Sequence, residues 1–147
     1  MATGTRIDPY VNFNFQVEID GIVRAAFHEV SGLESSIDVI EHREGGSNIT
    51  PGKYPGMSKY ANIVLKWGQA DDSDLYSWHL QWLTGDPAAT RRNGSIVLLD
   101  RQGQEQMRWN FFSAWPSKWT GPAFNAEGND IAIVSLELAH EGVQIAS

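Results

Sequence analysis

Apolar and polar residues alternate along much of this chain. Over residues 10–19, Val11, Phe13, Phe15, Val17 and Ile19 point one way and Asn12, Asn14, Gln16 and Glu18 the other, the pattern of a half-buried strand. Asp20-Gly21 follows as a two-residue hairpin signal, and residues 22–30 are expected to run back antiparallel until Ser31-Gly32. A third, less regular strand is expected over 36–43. Alternation returns over 60–67, with Ala61, Ile63, Leu65 and Trp67 on one face. Asn93-Gly94 reads as a turn, 95–99 as a strand and 100–103 as a hairpin loop. Residues 105–115 are a strand with Met107, Trp109, Phe111 and Trp115 on one face. An irregular connection over 116–129 precedes a last strand over 131–141, with Ala132, Val134, Leu136 and Leu138 facing one way.

Two stretches break the alternation. Residues 44–59 hold Gly45, Gly46, Gly52 and Gly56 with Pro51 and Pro55, and show no period. Prolines remove ladder donors and glycines weaken strands, so a central strand is not expected and an extended loop is. Loops of that length in a compact domain are usually functional or disordered. Residues 73–84 carry the one good helix pattern. Asp72 or Ser73 is placed to cap it, Asp71, Asp72 and Asp74 suit its positive end, and Gly85 suits its stop. Its apolar residues Leu75, Tyr76, Trp78, Leu80, Trp82 and Leu83 spread over about 200° at 100° per residue. One core needs a stripe only a little over 100° wide, so a second surface is expected to cover this helix.

About seven strands and one helix, without an internal repeat, predict a mainly β single domain over 1–147. The architecture expected is a β-barrel or sandwich of antiparallel strands with one flanking α-helix.

Composition narrows the chemistry. The 147 residues suit one domain with a real core. Cysteine is absent, which excludes disulfides, thiol nucleophiles and thiolate metal sites. Eleven basic against eighteen acidic residues give −7, a poor balance for coating nucleic acid. Residues 1–9 hold no apolar run, so synthesis in the cytoplasm without a signal peptide is expected. No apolar stretch approaches the roughly 20 residues that span a bilayer, and no direct membrane insertion is expected.

Candidate chemistry is equally sparse. His28, His42, His79 and His140 show no metal-ligand spacing, so no metal is expected. His79 reads as a packed or interfacial residue on the helix, and His28 and His140 as strand residues without a visible partner. Gly46–Lys53 fails as a phosphate loop: five residues separate Gly46 from Gly52, and Tyr54 follows Lys53. No G-x-S-x-G elbow is present. Catalytic and cofactor-binding residues are therefore expected to be none. Trp67, Trp78, Trp82, Trp109 and Trp115 fall on apolar faces and read as core or interface.

Several short runs, taken in order, carry a resemblance. They are Asp8-Pro9-Tyr10 through Asn14-Phe15, Val17-Glu18-Ile19-Asp20-Gly21 and Glu29-Val30-Ser31-Gly32-Leu33-Glu34. Arg43-Glu44-Gly45-Gly46, Pro51-Gly52-Lys53-Tyr54 and Asn93-Gly94-Ser95-Ile96 follow. Trp115-Pro116-Ser117-Lys118-Trp119 and Leu136-Glu137-Leu138-Ala139-His140-Glu141-Gly142 complete the set. Together the chain resembles the inner-tube proteins of contractile phage tails and of phage-tail-like contractile injection systems. One departure is visible: members often carry Arg before the Gly that ends the 60–68 segment, where this chain has Trp67.

The resemblance implies a structural, non-enzymatic subunit. Six copies would form a ring, and rings would stack into a hollow tube inside a contractile sheath. The implied partners are further copies, the sheath protein, baseplate or spike and tube-terminator proteins, and cargo in the lumen. The particle is a phage virion or a phage-tail-like assembly, with the secreted rings of type VI secretion as relatives. Within that frame Gly45, Gly46, Ile49, Pro51, Lys53, Tyr54 and Met57 are candidates for an inter-subunit loop. Asp71, Asp72, Asp74, Tyr76 and Leu80 are candidates for the helix face toward the sheath, and Asn12, Asn14, Gln16 and Glu18 for a lumen lining. The competing readings are a tube initiator or terminator and a monomeric carbohydrate-binding β-sandwich using exposed tryptophans.

Overall fold

Ten strands and one helix make up the described residues, which are 14–20, 22–42, 52–68, 73–122 and 133–146 of a computed structural model. In chain order they are β1 (Asn14–Ile19), β2 (Ile22–Phe27), β3 (Glu29–Ser31), β4 (Ser35–His42), β5 (Gly52–Tyr60) and β6 (Ile63–Gly68). Then come α1 (Ser73–Thr84), β7 (Arg92–Leu99), β8 (Glu105–Thr120), β9 (Ile133–Ala139) and β10 (Gly142–Ile145).

Eight strands share one sheet in the order β2-β1-β7-β8-β9-β6-β3, with β10 also beside β8. Every pairing is antiparallel. The path begins and ends in one chain run, because only His28 separates β2 from β3, and its N–H donates to the Lys66 carbonyl at 2.8 Å. The sheet therefore curls round on itself without closing as a barrel ladder. Strand β8 makes the corner. Its first part pairs with β7 and β10, and its last part, from Trp115, with β9. Between them Ser113 takes φ 53°, and the Asn93 side-chain oxygen accepts the Ser113 N–H at 2.9 Å. Strands turn from one sheet to another through such bulges.

The core lies inside this curl. Val17 and Ile19, Ile63, Leu65 and Trp67, Ile96, Phe111, and Val134, Leu136 and Leu138 form one buried cluster. Helix α1 adds Leu75 and Trp78 to it. The Trp78 indole N–H donates to the Thr90 carbonyl, and the Arg92 guanidinium lies 5.2 Å from its ring centre. His79 is half-buried, and its Nδ1–H donates to the Pro116 carbonyl, tying the helix to β8. The helix stops at Gly85, φ 72°, where the Gly85 N–H reaches the Trp82 carbonyl and the Asp86 N–H the Gln81 carbonyl. That pair is a Schellman closure. Asp71 and Asp72, which precede the helix in the chain, lie outside the described residues.

The structure departs from the sequence pattern in four places. Gly52–Tyr60 is not loop but strand β5, paired with β4 from Ser35↔Tyr60 to His42↔Gly52. Its proline and glycines are accommodated because the two-stranded sheet is all edge and carries a bulge between Ile37 and Val39. Asn93-Gly94 is not a turn: both lie in β7, where Asn93 caps the Ser113 bulge. Gly94 lets the Glu18 carbonyl and the Phe111 ring close in, for a Cβ there would sit 2.4 and 2.5 Å from them. Strand β8 continues through Pro116 to Thr120. The Ser113 bulge resets its alternation, so Ala114 and Pro116 are buried and Trp115 instead meets Trp82, ring centres 5.5 Å apart. Finally, the strand expected over 131–141 is β9, which ends at Ala139, and a further strand not expected, β10, follows after His140 and Glu141.

Candidate assembly surfaces

Among the described residues, the β4–β5 hairpin is the part least able to stand alone. It pairs with no other strand of the described residues. Opposed residues share a face, so Ile37, Val39 and Pro55 lie on one side and Ile40 and Tyr54 on the other. All five are exposed, as is Met57 at 74%. An isolated hairpin is marginal in water, and this one shows apolar side chains on both faces with neither covered. Of the loop candidates, Lys53, Tyr54 and Met57 fall on this hairpin; Gly45, Gly46, Ile49 and Pro51 lie outside the described residues.

A second surface lies on α1. Leu75, Trp78 and Trp82 face the core, while Tyr76, Leu80 and Leu83 occupy the adjoining arc and are exposed, Leu83 at 69%. Tyr76 rests its ring against Trp119, 5.1 Å away, and leaves its other side open. Asp74 is exposed in the first turn. The wide apolar arc read from the sequence is thus split by the fold into a core half and an uncovered half. The indole N–H of Trp82, at their border, finds no acceptor among the described residues.

A third surface is polar. Asn14 is exposed, and Gln16 and Glu18 are half-buried, on the side of β1 opposite Val17 and Ile19; Asn12 lies outside the described residues. The register runs Glu18–Ser95–Asn110–Gln144 across β1, β7, β8 and β10. Ser95 donates its hydroxyl to the Asn110 side-chain oxygen at 2.6 Å. Two residues along each strand, on the same face, the register runs Gln16–Val97–Arg108. Arg108 donates to Glu18 at 2.8 Å and to Glu105 at 2.7 Å. Hydrogen bonding from Arg108 holds the Glu105 carboxyl below the usual carboxylate range, and the two carboxylates raise Arg108 above the ordinary guanidinium value. The sequence reading found the β1 side of this face and missed Ser95, Arg108, Asn110 and Gln144. The alternation of Arg108 and Asn110 with Met107, Trp109 and Phe111 was the available signal.

No tryptophan is exposed. Trp67 and Trp78 are buried, and Trp82, Trp109, Trp115 and Trp119 are half-buried. Trp67, at the departure from the expected Arg, is a core residue edge-on to Phe27 and Trp119 at 5.5 and 5.7 Å. A sugar-stacking platform of the kind needed by a carbohydrate-binding sandwich is not displayed by these residues.

Comparisons with known proteins converge. The family model of the T4-like virus tail tube protein gp19 matches residues 11–144. A chain in the sheath-tube complex of an extracellular contractile injection system, PVC, in its extended state is 30% identical, with TM-score 0.78 over 95% of this chain and 92% of that one. A chain in the PVC sheath/tube terminator structure is also 30% identical, with TM-score 0.76 over 99% and 100%. Hcp1 from Flavobacterium johnsoniae shares the fold at 14% identity, TM-score 0.57, over 89% and 93%. No curated protein sequence matches the chain.

Proposed function

The chain belongs to the family of the T4-like virus tail tube protein gp19, and from that premise we propose that six copies close into a ring and that rings stack into a hollow tube. The tube sits inside a contractile sheath, between a baseplate or spike and a terminator, and conducts cargo; it performs no catalysis. The particle is a virion or a phage-tail-like injection system that acts outside the producing cell.

The observation that carries this reading is the β4–β5 hairpin, with apolar residues uncovered on both faces. Such an arm gains most when clasped between two other copies. The open edges of the curled sheet offer the ring a further means of joining. The outer arc of α1, with Asp74, Tyr76 and Leu80, is assigned to the sheath. Exposed ion pairs there contribute only about 0–1 kcal/mol each, which suits a partner that must slide. The polar face with Asn14, Gln16 and Glu18 is assigned to the lumen.

Negative-stain microscopy of the purified protein tests this reading. Hollow rods of stacked rings are expected. Single rings that never stack would move the assignment to an initiator or terminator. Small uniform particles at high concentration would overturn the tube.

A further inference from the structure

Residues 32–34 and 61–62 link the hairpin to the body, and both linkers converge on the corner between β9 and β10. Gly32, φ 87°, lies so close to the second linker that a Cβ would sit 1.9 Å from the Asn62 carbonyl oxygen. The Asn62 side chain donates to Glu137 of β9 at 2.9 Å. Its neighbour Ala61 turns its carbonyl to His140 Nε2 at 2.8 Å. The His140 ring lies 5.8 Å from that of Tyr60, the residue that forms the innermost rung of the hairpin with Ser35.

These partners fix the state of the imidazole. The Gly142 N–H donates to His140 Nδ1 at 3.1 Å, so Nδ1 carries no proton. The Ala61 carbonyl only accepts, so Nε2 carries the hydrogen. One ring thus accepts from the start of β10 and donates to the root of the arm. Neither Asn nor Gln does both at these spacings. The shorter Asn keeps the acceptor for the N–H two residues on, and the longer Gln keeps the donor for Ala61.

We propose that His140 is the positioning residue of the arm: its hydrogen bond to Ala61 sets the direction in which the β4–β5 hairpin leaves the body. The inference rests on the reading of the hairpin as an assembly arm. A purely structural His140 would hold β9 to β10 and leave the arm indifferent.

The absence of cysteine makes the test direct. Met57→Cys on the arm and Gln102→Cys in the β7–β8 turn take spin labels, and dipolar spectroscopy on the unassembled subunit reads their distance distribution. A narrow distribution is expected with His140, a broad one in His140→Asn, and a narrow one again in His140→Gln. Without labels, His140→Asn should lower tube yield by up to about tenfold, the factor matching one lost hydrogen bond, and His140→Gln should restore it. A narrow distribution with full tube yield in His140→Asn overturns the assignment. So does a His140→Gln variant as broad as His140→Asn. If the unsubstituted chain forms no tubes, the assembly reading falls, and the distance distributions still decide what His140 does.

Discussion

Strands β5 and β6 are separated by two residues and live in opposite surroundings. In β6 every second residue is buried, and Ile63, Leu65 and Trp67 sit in the core. In β5 no residue is buried, and apolar side chains appear on either face without a period. Strict alternation marks a strand that completes itself against its own chain. Apolar content without a period, held in a strand, marks one that its own described chain leaves uncovered. The same contrast divides α1 along its length, with Trp78 on the self-sufficient side and Leu83 on the other.

The contrast breaks if the body does not depend on its core. Trp78→Ala should cost about 3–5 kcal/mol in chemical denaturation, because a fully buried indole is removed. A cost under about 1 kcal/mol would mean that the helix is not seated as described.

The arm should behave in the reverse way. Ile40→Ser combined with Tyr54→Ser should leave unfolding of the subunit within about 0.5 kcal/mol, since both side chains face solvent. The same pair should abolish rods in the microscope. Rods of normal length would remove the arm from assembly.

The smallest effect belongs to the polar face. Glu105 titrates below its usual range because Arg108 donates to it. Its contribution to stability is therefore present above the ordinary carboxylate value and is lost as pH falls through the lowered one. Arg108→Gln should return the Glu105 midpoint, followed by carboxylate NMR, to the ordinary range and flatten that part of the acid limb. An unchanged midpoint would dissolve the Arg108 cluster as a feature of the face.

Legibility followed the regularity of the backbone. Strands β1, β6 and β9 and helix α1 were readable because nothing interrupts their periods between Asn14 and Ile19, Ile63 and Gly68, Ile133 and Ala139, or Ser73 and Thr84. Strand β8 was readable only to its bulge. Once Ser113 takes a positive φ, parity shifts, and Pro116, a usual stop, becomes a buried strand residue. Asn93-Gly94 carries the composition of a turn but serves as the socket for that bulge. Residues 52–60 hid a strand because an edge ladder tolerates Pro55 and Gly56, which a central one would reject. His140 showed no partner in the sequence because Ala61 is 79 residues away. Of the surfaces, the wide apolar arc of α1 was visible in advance, whereas the register joining Glu18 to Ser95, Asn110 and Gln144 needed the ladder itself.

Strand β8 serves both halves of the curled sheet, with β7 and β10 on its first part and β9 on its last. A load that pulls those halves apart must stretch a covalent backbone as well as open a packed seam. Such a corner is cross-tied from within, and the tube wall proposed above would gain from it a resistance to bursting.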